Sequence, residues 1–508
     1  MLSQITSVLF EGFEAKKMEI EVHVARGLSL VVIVGLPGAA VKESRDRVKS
    51  ALLNQGFEFP QKKITINLAP AHSKKEGPLY DLPIAMGILA ASGQIPLDST
   101  KGWAFLGELS LDGRLRPIRG ALLAASKLKD EGVQYLVIPK ENGHEASMAE
   151  GIQIYPVLEL KEIVSHLNQE RPMKPLPFNP KILSASSPTA PDFGEVFGQE
   201  ATKRAMTIGA AGGHNMLMVG PPGAGKTMLA RCMPSILPPL TLHEMIEVTS
   251  IYSIAGHLSE DQGLITQRPF RSPHHTTSEI GLIGGGTFPK PGEISLAHLG
   301  ILFLDELPEF PRKTIEVLRQ PLEEGLIRIG RAHGSAVFPA RILFLGAMNP
   351  CPCGYFGDGS RKCRCSPQSI QRYLSRISGP LLDRIDIQIQ VKAVSFEKII
   401  EKQGKSTTSQ EMKKHVLEAR AVQKERFQKE AYSLNSEMDG AGIDRYCSLS
   451  KDALKILKQR ARHSPLSGRS YHKILKVART IADLEEASQI QSHHLGEALY
   501  LRDLETFF

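Results

Sequence analysis

The sequence predicts a multidomain α/β protein that ends in a helical region. Short apolar runs of strand length alternate with helical patterns up to about residue 392. Beyond residue 394 the chain is charged, and its apolar residues are spaced three and four apart. A proline-rich stretch divides the alternating part in two. We therefore expect two α/β domains, the second built on a parallel sheet, followed by an all-helical domain.

Length and composition agree with several packed domains. A chain of 508 residues exceeds what one hydrophobic core usually supports. With 42% apolar and 23% charged residues, the composition is globular rather than fibrous, disordered or membrane-embedded. The net charge of +8 is compatible with a polyanionic partner, but many proteins with such a charge never bind nucleic acid.

The first domain is expected over residues 1–165. It contains strand-like runs such as LVVIVGL (30–36) and KITINLA (63–69) and a helical pattern over residues 40–55. Residues 166–192 follow as a predicted linker, because prolines recur there among serines and lysines.

The second domain is expected over residues 193–394 and the helical lid over residues 395–508. Three largely apolar runs, NMLMVG (215–220), GILFLD (300–305) and ILFLGAMN (342–349), are typical of parallel strands covered on both faces. In the lid, residues 413–431 and 471–487 carry apolar residues at helical spacing.

The run GPPGAGKT (220–227) has the spacing of a phosphate-binding loop, between an apolar strand and a helical segment. Backbone N–H groups of such a loop cradle phosphates, Lys226 adds a positive charge, and the Thr227 hydroxyl binds Mg²⁺. The alternative, a glycine-rich turn with a solvated lysine, is disfavoured by the flanking strand and helix. The expected nucleotide contacts are Gly220, Pro221, Pro222, Gly223, Ala224, Gly225, Lys226, Thr227 and Met228.

A second motif, ILFLDE (301–306), ends an apolar run with two carboxylates. Asp305 is suited to hold Mg²⁺ together with Thr227, and Glu306 is suited to polarise the attacking water. A solvent-facing acidic pair is the alternative when this motif is considered alone. Downstream of a phosphate-binding loop, the pair indicates ATP and Mg²⁺ as cofactors.

Four of the six cysteines crowd into CPCGYFGDGSRKCRC (351–365), as Cys351, Cys353, Cys363 and Cys365. Four thiolates on a short loop match a tetrahedral Zn²⁺ site with no open position, which is a structural rather than a catalytic site. Reduced free thiols are the next interpretation. Disulfides are the least expected in a reducing compartment.

The two ATP motifs, Asn349 after a further apolar run, PLLDRID (380–386) and LSGRSYHKILK (466–476) together resemble an AAA+ ATPase of the magnesium-chelatase-like clade. The resemblance implies a ring, usually a hexamer. It also implies that Asn349 orients the lytic water, Arg384 reaches the γ-phosphate of a neighbouring subunit, and Arg469 is the second sensor in the lid. Surface ion pairs are the alternative for the two arginines.

Residues 105–142 resemble the proteolytic domain of Lon, but the catalytic residues of Lon are missing. KEGPLYD (75–81) has Leu79 where Lon has its serine nucleophile, and PIRGAL (117–122) has Leu122 where Lon has its lysine. Leucine can act neither as nucleophile nor as base. The N-terminal domain is therefore expected to be a binding or assembly module that lacks the Ser–Lys dyad.

This domain order, with HSKKEG, RSPHHTTSEIGLIGGG, PGEISLAHLGILFLDELPEF and NPCPCG, resembles the ComM/YifB family over essentially the whole chain. The family implies a homo-hexameric DNA helicase that drives branch migration in homologous recombination, as in natural transformation. Its expected partners are single-stranded and branched DNA, with recombination proteins as further candidates.

Two rival functions stay open: a motor subunit of magnesium chelatase, and an AAA+ unfoldase or remodelling chaperone. The Lon-like domain and the cysteine cluster argue against the first. Leu79 and Leu122 argue against proteolysis by the second.

Candidate DNA contacts lie in two insertions, residues 277–293 and 323–341. The second is predicted to form two short strands around a basic turn, from which Arg328, Arg331 and His333 would track phosphates in a ring pore. A solvated hairpin or a subunit contact is the alternative. Lys290 in the first insertion is a weaker candidate, and no metal is assigned to His274 and His275, which lack carboxylates or cysteines at ligand spacing.

The expected location is the cytoplasm. The N-terminus places acidic residues where a signal peptide needs a long apolar run. Nowhere does the sequence reach the run of about 18 apolar residues that a membrane-spanning helix needs. We therefore expect no membrane contact.

Overall fold

A computed structural model describes residues 1–178, 190–258, 263–286, 289–331, 334–357, 361–393, 406–463 and 467–502. Within these ranges the chain forms an N-terminal α/β domain, a central α/β domain with a parallel sheet and a C-terminal helical domain. This confirms the predicted fold class. Among the described helices, none combines the length and apolar character needed to cross a lipid bilayer.

The N-terminal domain is built on a mixed seven-stranded sheet in the order β3-β4-β2-β1-β5-β8-β9, and β6 and β7 form a small hairpin. Strands β1, β2 and β4 pair antiparallel, and the other pairs of the large sheet are parallel. The strands are β1 (Leu2–Glu11), β2 (Glu14–Ala25), β3 (Leu30–Val34), β4 (Lys63–Ala69), β5 (Trp103–Phe105), β6 (Glu108–Leu109), β7 (Leu115–Arg116), β8 (Tyr135–Pro139) and β9 (Gln153–Val157). The α-helices are Ala39–Asn54, Asp81–Ser92, Ala121–Asp130, Gly143–Ala146 and Leu160–Leu167.

The central domain contains a five-stranded sheet, parallel throughout, in the order β11-β14-β17-β10-β18. Every residue of β10, β14 and β17 is buried, which explains their unbroken apolar runs. The strands of this domain are β10 (Met216–Val219), β11 (Phe270–Arg271), β12 (Gly284–Gly285), β13 (Lys290–Pro291), β14 (Ile301–Leu304), β15 (Leu326–Arg331), β16 (Gly334–Pro339), β17 (Leu343–Met348) and β18 (Ile387–Gln390). The α-helices are Glu200–Gly212, Lys226–Ile236, Leu242–Ala255, Glu279–Ile283, Glu293–Leu296, Arg312–Glu316, Arg319–Glu324, Pro367–Leu374 and Gly379–Leu382.

The lid is helical throughout its described residues and shares one hydrophobic core with the central domain. Its helices are Ser409–Arg426, Gly440–Tyr446, Lys451–His463, Gly468–Leu484 and Ser492–Tyr500. The first begins with a capping box between Thr408 and Glu411. Met412 and Ile474 of the lid lie in the same buried cluster as Leu229 of the central domain. The two domains are therefore packed together rather than loosely tethered.

The first part of the predicted linker packs on the N-terminal domain. Helix Leu160–Leu167 runs past residue 165, and the Leu176 N–H donates to the Ile154 carbonyl at 2.8 Å. The Met173 N–H donates to His166 Nδ1 at 3.0 Å. Residues 179–189 of the predicted linker lie outside the described residues.

The N-terminal domain docks on the central domain through helix Ala121–Asp130, which packs on helix Leu242–Ala255. The Gly120 N–H donates to Ser253 Oγ at 2.8 Å, and the Ser253 hydroxyl donates to the buried Glu145 carboxylate. Burial raises the pKa of Glu145. Leu122 is fully buried in the apolar cluster at this contact, and Leu79 packs against the same cluster. The two leucines that the resemblance to Lon aligns with its dyad therefore act as apolar packing side chains.

The Ser253→Ala substitution tests this docking contact. It removes the acceptor of the buried Gly120 N–H and one of three donors to the buried Glu145 carboxylate, so we expect a loss of roughly 1–3 kcal/mol in unfolding free energy. Urea unfolding measures the loss. Ser250→Ala is the matched control, because the Ser250 hydroxyl donates to the Ile246 carbonyl of its own helix. Equal losses in both variants would contradict the assigned role of Ser253.

Candidate nucleotide site and cysteine cluster

The predicted phosphate-binding loop connects β10 to helix Lys226–Ile236, as its sequence context requires. Gly223 and Gly225 have φ values of +77° and +81°. A Cβ at either position would meet no atom within 4 Å, so the left-handed backbone rather than crowding calls for glycine. The loop N–H groups precede a helix N-terminus, where the helix dipole favours anions. Backbone geometry at this point therefore suits a phosphate.

Lys226 reaches back along the loop and contacts Asn349, which follows β17. Its Nζ donates to the Gly220 carbonyl at 2.7 Å, the Pro221 carbonyl at 2.9 Å and Asn349 Oδ1 at 3.2 Å. Burial lowers the pKa of the Lys226 ammonium, while the carboxylates of Asp305 and Glu306 oppose the shift. Two of the predicted site residues therefore meet at the carboxyl ends of adjacent strands.

The side-chain oxygen atoms of Thr227 and Asp305 lie next to each other. Thr227 Oγ1 donates to Asp305 Oδ2 at 2.6 Å, and the Glu306 N–H donates to Asp305 Oδ1 at 2.9 Å. A hydroxyl and a carboxylate are ligands that Mg²⁺ prefers. The donor set therefore fits the predicted magnesium ion, and the adjacent loop fits the phosphates that share its coordination.

Glu306 has the left-handed backbone, with φ of +50°, and its side chain is 57% exposed. Non-glycine residues with a left-handed backbone are uncommon, and those that occur are concentrated at functional sites. The carboxylate lies 3.6 Å from His275 Nδ1, and the rings of His274 and His275 are 4.0 Å apart. Sequence analysis missed His275, because the sequence does not show that residues 275 and 306 meet.

Arg384 and Arg469 do not approach this nucleotide site. Both line a cavity of about 590 Å³ to which none of the phosphate-loop residues, Asp305, Glu306 or Asn349 contributes. The cavity includes Asn215, which precedes β10, whereas the phosphate loop follows β10. The arginines therefore lie at the opposite edge of the sheet, where the parallel strands begin. The four residues of β10 alone separate this edge from the phosphate loop by roughly 13 Å.

Within that cavity, Arg384 is held by its own domain. Its Nη1 donates to the Pro380 carbonyl at 2.7 Å, and its Nη2 forms an ion pair with Glu323. The Nε of Arg384 is buried without a hydrogen-bond partner among the described residues. Arg469 is exposed in the first turn of helix Gly468–Leu484.

The four predicted zinc ligands come together. The Sγ atoms of Cys351 and Cys353 are 3.4 Å apart, those of Cys351 and Cys363 are 3.8 Å apart, and those of Cys353 and Cys363 are 3.6 Å apart. The Cys365 Sγ completes a group in which all four atoms lie within 4.8 Å. Four sulfurs around one Zn²⁺ would stand about 3.8 Å apart, as bonds of about 2.3 Å require. The arrangement therefore fits a tetrahedral metal, although residues 358–360 of this loop lie outside the described residues.

Local electrostatics favour the thiolate at Cys353, whereas desolvation and the neighbouring cysteines raise the pKa of Cys363 and Cys365. Backbone N–H groups of Arg364 and Tyr355 lower the pKa of the Cys353 thiol to about 6. Thiolate rather than thiol is the metal-binding form.

The cysteine cluster also lies directly against the phosphate-binding loop. Cys351 is fully buried and follows Asn349 by two residues. Gly354 has a φ of +87°, and a Cβ built on it would lie 2.5 Å from Pro222 Cδ. Only glycine allows this approach. The cluster thus contacts the nucleotide loop next to Asn349.

The second insertion forms the predicted hairpin, in which β15 and β16 pair from Leu326 with Pro339 to Arg331 with Gly334. Arg328 is exposed, and its Nη1 lies 3.2 Å from Glu324. Lys290 is exposed on β13. His333 and the side chain of Arg331 lie outside the described residues.

The N-terminal domain touches this hairpin through its β1–β2 turn. The Phe13 N–H donates to the Val337 carbonyl at 3.4 Å. Gly12 has a φ of +65°, and a Cβ built on it would lie 2.7 Å from Ala336 Cβ. The N-terminal domain therefore contacts strand β16 of the hairpin directly.

Three family profiles cover most of the chain. They match "Magnesium chelatase, subunit ChlI" at residues 192–399, "Subunit ChlI of Mg-chelatase" at residues 20–142 and "Magnesium chelatase, subunit ChlI C-terminal" at residues 406–502. Competence protein ComM of Haemophilus influenzae is 45% identical over 97% of this chain and 95% of its own length. The uncharacterized protein YifB of Escherichia coli is 41% identical over 97% of this chain and 96% of its own length.

The chain belongs to the ComM/YifB family of magnesium-chelatase-like AAA+ proteins. Its N-terminal region is also similar to Lon protease. Lon protease 2 of Bacillus subtilis is 30% identical over 28% of this chain. Membership of the AAA+ family implies ATP and Mg²⁺ as ligands, and the loop at residues 220–227 with Thr227 and Asp305 fits both.

We expect Glu306→Gln to bind nucleotide but to lose at least about 100-fold in ATP turnover, because the amide cannot accept the proton of the attacking water. Nucleotide binding is measured by fluorescence and turnover by phosphate release. Glu309→Gln is the matched control, since Glu309 is an exposed residue paired with Arg376. Normal turnover by the Glu306 variant would contradict its assigned role.

Proposed function

We propose that this chain is an ATP-driven DNA motor that works as a homo-hexameric ring and promotes branch migration in homologous recombination, as in natural transformation. The observation that carries the proposal is its identity of 45% over nearly full length to a protein named for competence. The ATP site, the two remote arginines and the exposed Arg328 of the hairpin each support one part of it.

ATP hydrolysis is the part supported most directly by side-chain geometry. The loop N–H groups and Lys226 would hold the phosphates, and Thr227 with Asp305 would hold Mg²⁺. Glu306 would accept a proton from the attacking water, and Asn349, 3.2 Å from Lys226 Nζ, would orient that water. Bound Mg²⁺ supplies charge neutralisation at the phosphates.

A ring is supported by the position of Arg384 and Arg469. Phosphoryl transfer is accelerated by a guanidinium near the γ-phosphate, yet both arginines lie at the sheet edge remote from the chain's own loop. A neighbouring subunit whose nucleotide site faces this edge would complete the arrangement. Such a head-to-tail contact repeated around an axis closes into a ring.

DNA binding is supported by the hairpin and by overall charge. Arg328 is exposed on β15, and the net charge of the chain is +8. A contact with the DNA backbone needs positive charge rather than base-specific groups. Single-stranded and branched DNA are the proposed ligands, and recombination proteins are further proposed partners. Such a motor would work in the cytoplasm, where the chromosome and ATP are found.

The main rival is a motor subunit of magnesium chelatase, the protein for which the three matching families are named. Relatives that match over nearly the whole chain are named ComM or YifB rather than as subunits of magnesium chelatase. An unfoldase is the second rival. Its proteolytic version is disfavoured by Leu122 and Leu79, which pack in an apolar cluster.

We expect branched DNA, and to a lesser degree single-stranded DNA, to stimulate ATP hydrolysis at low salt, with ATP-dependent movement of a three- or four-stranded junction. Casein and buffer alone should not stimulate it.

Arg328→Ala should weaken DNA binding and reduce the salt-dependence slope by roughly 1, as loss of one phosphate contact requires. Arg114→Ala, an exposed arginine of the N-terminal domain, is the control. Absence of any DNA binding at low salt would overturn the DNA motor.

We also propose that the four cysteines hold a structural Zn²⁺. Metal analysis of purified protein should give about one zinc per chain, and Cys353→Ser should lower that content by weakening a four-thiolate site. Cys232→Ala, which removes a buried thiol outside the cluster, should leave zinc unchanged. A zinc content near zero in active wild-type protein would refute the site.

A further inference from the structure

Asp386 lies two residues after Arg384 and is buried at the wall of the same cavity. Its Oδ1 forms an ion pair with Lys473 Nζ at 2.5 Å, and its Oδ2 accepts the Asn215 N–H at 3.0 Å. His214 Nδ1 lies 3.8 Å from the same carboxylate. Asp386 therefore joins the start of β10, the start of β18 and the lid.

The lid holds this segment of the central domain at further points. The Arg502 guanidinium donates to the Ile385 carbonyl at 2.8 Å and to the Asp386 carbonyl at 3.3 Å. The Gln388 N–H donates to the Leu501 carbonyl at 2.6 Å. The chain immediately after Arg384 is thus fixed to the lid as well as to the sheet.

Lys473 lies four residues after Arg469 in helix Gly468–Leu484, so the two side chains project from the same face one turn apart. Both line the cavity, as do Arg384 and Asp386. The Lys473–Asp386 ion pair is therefore a direct link between the helix that carries one arginine and the segment that carries the other.

The Asp386 carboxyl is ionised despite its burial. Burial opposes ionisation of Asp386, but Lys473 and His214 hold the pKa of its carboxyl well below the usual range. Buried ion pairs add little net stability compared with apolar packing, whereas their strict geometry can fix one arrangement of two elements. Stability alone therefore does not account for this pair.

We propose that Asp386 and Lys473 are positioning residues whose ion pair presents Arg384 and Arg469 to the neighbouring subunit as one unit. This inference rests on the proposed ring, in which the two arginines act on the nucleotide of the next chain. The pair fixes the lid helix that carries Arg469 against the segment that carries Arg384, so that both guanidinium groups meet the neighbouring nucleotide in one arrangement.

Subunit mixing tests the inference with the full-length protein. Lys473→Met alone should lower ATP turnover about tenfold or more while its nucleotide Kd stays within about twofold, because the variant retains its own phosphate loop. Mixed with Glu306→Gln chains, which hydrolyse poorly but carry intact arginines, it should recover activity. In a random 1:1 ring roughly a quarter of the interfaces would be competent. Lys473→Arg should retain most activity, since it keeps the charge.

Three controls separate the possible failures. Arg384→Ala mixed with Glu306→Gln should also recover, and if it does not, the proposed action between subunits is wrong. If that mixture recovers but Lys473→Met with Glu306→Gln does not, the positioning role is wrong.

Lys455→Met, on an exposed lid ion pair with Asp452, should leave turnover unchanged. Asp386→Asn should reproduce the Lys473→Met pattern, and wild-type turnover by either variant would overturn the inference.

Discussion

Parallel pairing of β10, β14 and β17 is the constraint on which the candidate site depends. Neighbouring parallel strands end at the same edge of a sheet, so the residues after each strand converge there. Lys226 meets Asn349 at 3.2 Å, and Thr227 meets Asp305 at 2.6 Å. The apolar runs that bury these strands on both faces hold the polar ends in register.

The same sheet separates the two halves of the proposed chemistry. Its carboxyl edge carries the phosphate loop and Glu306, and its amino edge carries the cavity with Arg384 and Arg469. One chain therefore brings together the residues that hold a nucleotide but not the arginines that would act on it. This division is the physical reason for proposing a ring and for interpreting the Lys473–Asp386 pair as a device acting between subunits.

Two other features bear on the nucleotide domain from outside. Leu122, which the resemblance to Lon aligns with the Lon lysine, is buried beside the Glu145–Ser253 contact and packs where the N-terminal and central domains meet. The cysteine cluster lies on Pro222 of the phosphate loop through Gly354.

The sequence by itself determined the three-part fold, the phosphate loop, the strand-end carboxylates, the four clustered cysteines and the hairpin before β17. Each of these features is a local pattern, and the spacing of its residues along the chain predicts the structure that they form. Only the tertiary structure decided that His275 lies beside Glu306, that the cysteine loop rests on Pro222, that Arg384 and Arg469 share a cavity remote from Lys226, and that Lys473 pairs with Asp386. These contacts join residues far apart in the chain, and their formation depends on how helices and strands pack, which residue spacing does not encode.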